Sequence, residues 1–346
     1  MDFAIESTVK IVVVFGGLMG AVAYLVLAER KISAYIQNRL GPNRVGPWGL
    51  LQPIADGLKF LFKEDVIPRH VNRFVYLAAP PAILVPALMG FAIVPFGDSI
   101  TLWGREIRLQ VADVNIGILY LLALASLGVY GVVLGGWASN NKYALLGGLR
   151  ASAQMISYEL ALGLSLIGVL MAAGTLQLDE IVRQQSERTL FGFLPGWNVF
   201  TQPLGFVLFT AAAFAESNRL PFDLPESEQE LVAGYHAEYS SMKFAMFFMA
   251  EYAHMITASA VIATLFFGGW HMPWLVDPGS TSIGASLLKV LAFLVKTGFF
   301  MFLFLWVRWT LPRFRYDQVM WLGWKVLLPL ALLNVFLTGL YLTLTY

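Results

Sequence analysis

The chain has 346 residues, of which 58% are hydrophobic and only 13% charged, against roughly 25% charged in an ordinary soluble domain. Together with a mean hydropathy of +0.68, this excludes a soluble globular protein, and the net charge of +1 excludes a bulk basic field for nucleic acid. The chain has no cysteine, which excludes disulfides and thiolate ligation of zinc or an iron–sulfur cluster by this chain.

About 20 apolar residues cross a bilayer core. The first such run is expected over about 9–30. Acids precede it, and no small-residue cleavage site stands before Glu29-Arg30-Lys31, so it reads as a retained span and not a cleaved signal peptide. The loop that follows, ERKISAYIQNRLGPNRVGPWG, carries Gly-Pro twice and is therefore rich in turns. Beyond it, WGLLQPIADGLKFLFK predicts an amphipathic helix over about 48–63. Leu50, Leu51, Ile54, Leu58, Leu61 and Phe62 fall within about 120° of one another, with Gln52, Asp56, Lys59 and Lys63 opposite. Such a helix lies on the membrane surface or packs on a partner; in either case it forms a lid beside span one. With Arg30, Arg39 and Arg44 close by, the lid suits a substrate with a polar head and an apolar tail.

Further spans are expected over about 74–97, 114–139, 154–176, 201–217, 244–270, 287–308 and 325–345. The fold class is thus all-α: a polytopic membrane protein, one membrane domain over 1–346, with eight transmembrane helices plus the surface helix. The loop after span one holds seven basic residues from Lys31 to Arg73, and the loop after span seven holds Arg313 and Arg315. The positive-inside rule puts these odd-numbered loops in the cytoplasm and both termini outside.

Ionisable residues inside spans cost about 2.5–3.5 kcal/mol each on insertion scales and by default mark function. Span four carries Glu159, span five ends at Glu216, span six carries Glu251 and His254, and span seven carries Lys289 and Lys296. Buried carboxylates can exchange protons near neutral pH, so several in reach of one another make a relay. The alternative is static pairing, such as Glu251 with Lys296, or Arg219 with Glu216 three residues before it. Between spans five and six lies an acidic cytoplasmic loop, about 218–242; the stretch 216–251 holds seven acids against Arg219 and Lys243. Asp223 to Glu226 and Ser227 to Glu230 fit helix-capping boxes, which leaves Glu228, Glu238, Glu216 and Glu251 unexplained by capping. His236 sits among acids and aromatics as a structural or a titrating group. Glu251-x-x-His254 is half of a di-iron motif, but no second copy occurs, so no metal site is expected. An acid-lined bundle also fits an independent ion transporter, although paired broken spans are missing. A purely architectural anchor for redox partners is the third reading.

Four segments carry a resemblance: AERKISAYIQNRLGPNRVGPWGLLQPIADGLKFLFKED at 28–65, SYELALGL at 157–164, AESNRLPFDLPESEQELVAGYHAEYSSMKFAMFFMAEY at 215–252 and WVRWTLPRFRYDQVMWLGWK at 306–325. Through them the chain resembles one membrane-subunit family of bacterial NADH-quinone oxidoreductase (respiratory complex I), the H-type family, which is the subunit 1 family of mitochondria. Energy-converting hydrogenases share a looser version. The resemblance implies a multi-pass subunit of the bacterial inner membrane that docks the hydrophilic arm and helps close a quinone chamber. FMN and iron–sulfur clusters would sit only on partner subunits, and quinone would be the substrate. Further partners would be the small and antiporter-like membrane subunits, and lipid. By this resemblance the chamber involves Arg30, Tyr35, Arg39, Arg44, Asp56, Arg219, Phe222 and Asp223. The proton relay involves Glu159, Glu216, Glu226, Glu228 and Glu251. Some relatives carry an acid in span three; here that link falls to Tyr120, Tyr130, Ser126 or water.

Overall fold

The computed structural model describes residues 2–102, 105–190, 192–225 and 228–345. The helices are, in chain order, α1 (Asp2–Ile36), α2 (Gln52–Phe62), α3 (Arg73–Gly90), α4 (Gly117–Ala138), α5 (Lys142–Ala173), α6 (Leu178–Glu187), α7 (Asn198–Thr201), α8 (Pro203–Glu216), α9 (Glu228–Leu231), α10 (Ser241–Phe266), α11 (Ile283–Thr310), α12 (Tyr316–Trp321) and α13 (Leu328–Thr345). A π-helical turn, Leu322–Leu327, joins α12 to α13 into one rod. Three short 3-10 turns, Pro47–Gly49, Phe91–Ile93 and Gly234–His236, and two small antiparallel hairpins accompany the helices. Strand β1 (Ser99–Leu102) pairs with β2 (Arg105–Arg108), and β3 (Thr189–Leu190) with β4 (Leu194–Pro195).

Seven helices among the described residues are long and apolar enough to cross a membrane: α1, α3, α4, α5, α10, α11 and the α12–α13 rod. The polytopic, helical reading of the sequence therefore holds. The apolar run expected at 201–217 is the shorter α8. Its 14 residues extend about 21 Å at 1.5 Å per residue, less than the roughly 30 Å of a bilayer core. The last rod begins at Tyr316, nine residues before the start expected at Lys325. Short side chains set the helix ends. Asn72 and Asn141 accept hydrogen bonds from Val75 N and Tyr143 N, and Ser282 accepts from Ala285 N. Helix α5 stops at Gly174, which takes φ 68.

Helix α10 is the central post: 67% of its most apolar window is buried, against 22% for α1 and for the last rod. It packs on α3, α11, α1, α2, α8 and α6. Helices α3 and α4 approach closely because Gly131 presents no side chain; a Cβ there would lie 2.7 Å from Ile83 N. Small residues at such crossings are the usual device for packing helices in lipid, where apolar burial alone gives little.

Candidate functional site

An amphipathic helix forms over Gln52–Phe62, inside the 48–63 expected and after a separate 3-10 turn at Pro47–Gly49, and folds back over the end of α1. Arg30 donates to Asp56 at 2.7 Å, Gln52 donates to the other Asp56 oxygen at 3.0 Å, and Lys31 donates to Trp48 O. At its far end Ser241 donates to Phe60 O and Lys63 O, and Lys243 pairs with Asp65. These bonds hold α2 on edge, and its apolar residues Ile54, Leu58, Leu61 and Phe62 remain exposed. Between α2, the ends of α1 and α11 and the start of α10 lies a cavity of about 750 Å³, within the range of sites for small organic molecules. Its wall is mostly apolar, with Val22, Val26, Phe60, Phe248 and Met249 among its residues, and Arg30, Arg39, Asp56, Glu29 and Arg308 supply the charge.

Behind this wall stands a buried ion network. Arg308 meets one Glu29 oxygen at 2.6 Å. The other oxygen accepts from Tyr252 Oη at 2.7 Å and from Arg219 at 3.3 Å. Arg219 Nε then meets Glu251 at 2.5 Å, and its guanidinium lies 4.1 Å from the centre of the Tyr252 ring. Arg219 is 3% exposed. Two arginines thus face two carboxylates, and a cavity-lining acid is linked to an acid of α10 through a single guanidinium.

Of the static pairings that stand as the alternative to a relay, the two named from sequence are not made, although Glu251 is ion-paired, with Arg219. Arg219 does not bond Glu216, because Asn218 takes φ 52 and turns the chain off the α8 face, so the helical three-residue spacing is lost. Lys296 does not pair with Glu251. Its ammonium donates to the carbonyls of Phe267, Gly269 and His271, just past the far end of α10. Those carbonyls begin 16 residues beyond Glu251, about 24 Å along a helix.

One turn further along α10, His254 and Thr257 join Glu216 around a second cavity, of about 40 Å³. Glu159 lies near enough to Glu216 for their charges to repel, and it accepts a hydrogen bond from Ser126 of α4. The third span, which has no acid, therefore meets the carboxylate line through its serine.

The remaining residues named from sequence are dispersed. Tyr35, in the last turn of α1, and Arg44, on the turn-rich segment beyond it, are exposed and do not line the larger cavity. Phe222 is buried against Tyr158 and Phe314. Asp223 pairs with Arg313 at 2.8 Å. Glu226 falls outside the described residues, and of Glu228 only the backbone is described; the capping boxes that end at Glu226 and begin at Ser227 share this gap. Two loop acids are structural ties: Glu230 pairs with Arg150 at 2.8 Å, and Glu238 accepts from Asn141 at 2.7 Å. His236 is buried, and burial pushes its imidazole down to about 4. Sequence reasoning misses Glu29, Tyr252 and Arg308. Glu29 carries a signal, an acid directly at the end of an apolar span; Arg308 is legible only as flanking positive charge. Among the described residues no group of three or more His, Cys, Asp or Glu side chains converges to hold a metal ion.

A family model described as NADH dehydrogenase matches residues 9–339. The chain belongs to the NADH dehydrogenase family. Among its relatives, the NADH-quinone oxidoreductase H-type subunit 1 of Geobacter sulfurreducens is 52% identical over 355 residues, covering 99% of this chain and 97% of the relative. The H-type subunit of Thermomicrobium roseum is 54% identical over 325 residues, with 93% and 92% covered. The H-type subunit 1 of Cytophaga hutchinsonii is 49% identical over 339 residues, with 98% and 97% covered. Within the NADH dehydrogenase family the chain is thus of the H type over nearly its whole length.

Proposed function

We propose that the chain is the membrane subunit of a proton-pumping NADH:quinone oxidoreductase that forms the membrane side of the quinone chamber and couples quinone reduction to proton translocation. The observation that carries this reading is the adjacency of the two features just described: a mainly apolar cavity, and an ion network that begins in its wall at Glu29 and ends at Glu251 inside the bundle. An apolar wall with a few charges at one end fits a molecule with an isoprenoid tail and a polar ring. The exposed apolar face of α2 would meet the membrane surface and open the cavity toward lipid.

Electrons arrive from partner subunits that hold FMN and iron–sulfur clusters, since this chain has no thiolate to ligate a cluster. The cluster-bearing arm closes the chamber over the cytoplasmic loops, where exposed Tyr35, Arg39 and Arg44 are free to face it. The smaller and antiporter-like membrane subunits take up the signal beyond Glu159. The chain sits in the bacterial inner membrane as one domain, with both termini on the periplasmic side. Helix α8, preceded by the turn of α7, is its eighth and shortest crossing.

Reduction of the quinone adds charge beside Glu29 and Arg308. Two unit charges about 8 Å apart at an effective dielectric of 20 interact by about 2 kcal/mol, more than one pKa unit. The shift reaches Glu251 through Arg219, because moving that guanidinium toward one carboxylate leaves the other less compensated. Glu216, Glu159, Glu226 and Glu228 continue the line. Glu216→Gln and Glu251→Gln should assemble and still oxidise NADH with an artificial acceptor, yet lower proton translocation per quinone reduced. Full pumping in both assembled variants would remove the relay. Energy-converting hydrogenase membership or independent ion transport would require nickel–iron partners or activity without partners; nothing in the cavity or the network favours either.

A further inference from the structure

Glu251 and Glu216 stand on different helices, and no direct contact joins them. Beside Glu216 is the small cavity lined by that residue of α8, by His254 and Thr257 of α10 and by apolar residues of α3, α4, α5, α8 and α10; Glu251 does not line it and precedes His254 by three residues on α10. Three polar groups border it without protein partners. His254 Nε2 and Thr257 Oγ1 are buried with no hydrogen bond. The Glu216 carboxylate has no hydrogen-bond or ion-pair partner among the described residues, although Glu159 repels it. A threonine in a helix ordinarily donates back to the carbonyl four residues earlier, as Ser259 and Thr264 do on this same helix. Thr257 does not, and its hydroxyl is left available to the cavity.

Buried polar atoms without partners are rare, and when several share a void the usual reason is water. A site for water needs room for at least one probe sphere and two to four polar partners. The volume of about 40 Å³ and the three groups meet both conditions. Nothing bulky intrudes: Gly128 of α4 faces His254, where a Cβ would stand 3.4 Å from Nε2, and Gly90 of α3 faces Thr257, where a Cβ would stand 3.6 Å from its methyl.

We propose that one ordered water, or a pair, occupies this cavity between Glu216, His254 and Thr257, and that His254 passes protons between Glu251 and Glu216 through it. This rests on the relay reading above and assigns it a link that the carboxylates alone do not provide. His254 follows Glu251 by three residues and so shares its helix face. The imidazole accepts a proton at one ring nitrogen and releases the proton of the other. The water accepts that proton and gives one of its own to the Glu216 carboxylate, so the count of protons is unchanged. Thr257 fixes the water by accepting or donating the remaining hydrogen bond.

The test uses the intact complex. A high-resolution map should show density within hydrogen-bonding distance of His254 Nε2, Thr257 Oγ1 and a Glu216 oxygen; an empty cavity overturns the proposal. Thr257→Val preserves shape and removes the hydroxyl; it should weaken that density and slow proton translocation while NADH oxidation by an artificial acceptor stays unchanged. His254→Leu should cut the proton translocation rate by about tenfold, the rate effect of roughly 1.4 kcal/mol, and His254→Gln should recover part of it. If Glu216→Gln and Glu251→Gln abolish pumping while His254→Leu and Thr257→Val leave it at the native rate, the water link fails and the relay stands. If the two glutamine variants pump normally, the relay itself fails.

Discussion

Glu29 gathers two guanidinium groups and a phenol around a single carboxylate, and the buried Arg219 is held between it and Glu251. A charge that is 3% exposed persists only when it is paired, because removal of one partner leaves the other buried and uncompensated, at a cost of about 3–5 kcal/mol. Glu29→Gln should therefore lower the thermal stability of the complex by that order, and Glu251→Gln by less, since it removes a partner from Arg219 alone while Glu29→Gln also strips Arg308. Arg150→Ala, which breaks the exposed pair with Glu230, should cost no more than about 1 kcal/mol. Denaturation midpoints of the purified complexes check the order. An equal loss in all three variants would mean that the network is not the locus of the effect. The sequence shows which residues are ionisable at membrane depth, but not their partners. Spacing along one helix suggests Arg219 with Glu216, and charge complementarity between spans suggests Glu251 with Lys296; a single left-handed residue, Asn218, and the length of α10 decide otherwise. Partner choice is a property of chain direction in space, which local spacing does not record.

At the scale of elements, the acidic segment between α8 and α10 is held by specific ties more than by its charge. His236 lies in a buried turn, and its imidazole is pushed down to about 4 by burial, against roughly 6.5 in an unfolded chain. The neutral ring therefore contributes stability that is complete above pH about 6.5 and is lost as the pH falls toward 4, because the unfolded loop binds the proton first. Relative to the intrinsic rate, which itself falls with pH, the protection of amides over 232–240 from hydrogen exchange should drop between pH 7 and 5, and His236→Phe should abolish that drop; equal protection at both pH values would contradict it. The same turn rests on Gly147 of α5, where a Cβ would stand 2.7 Å from Gly234 Cα. Gly147→Ala should destabilise this contact by about 1–3 kcal/mol, the usual cost of overpacking, and raise proteolytic cleavage in the loop. Helices of this length are legible because apolar periodicity accumulates over many residues. The amphipathic α2 is legible from its pattern. The hairpins β1–β2 and β3–β4 are not, since strands of two to four residues carry too little pattern to stand out. Helix α8 is legible as apolar, but its end points depend on Pro203 and on the turn at Asn218.

For the whole molecule, polar chemistry divides between two ends of one bundle. The cavity and the Glu29–Arg219–Glu251 network occupy the end where α1 and α11 finish. At the other end Lys289 is capped by Asp98 and by the carbonyls of Pro278 and Ser280, Asp98 also meets Arg183, and Lys296 is capped by carbonyls. The first end holds a mainly apolar cavity; the second is a tied-off clasp. The absence of cysteine makes the proposed orientation directly measurable. Single cysteines at Thr8 or Thr343 should react with an impermeant maleimide added to intact cells, and cysteines at Tyr35 or Glu230 only after inversion of the membrane. Labelling on the reverse sides would contradict the assignment of loops from their basic residues.

The central claim is that quinone reduced in the larger cavity changes the proton load of the acids behind it. Redox-triggered infrared difference spectroscopy of the assembled complex reads this most directly. The native enzyme should show carboxyl bands that appear or vanish on quinone reduction, and Glu251→Gln and Glu216→Gln should each remove part of them. A spectrum with no carboxyl change, or one that both substitutions leave intact, would contradict the account and leave only a docking platform.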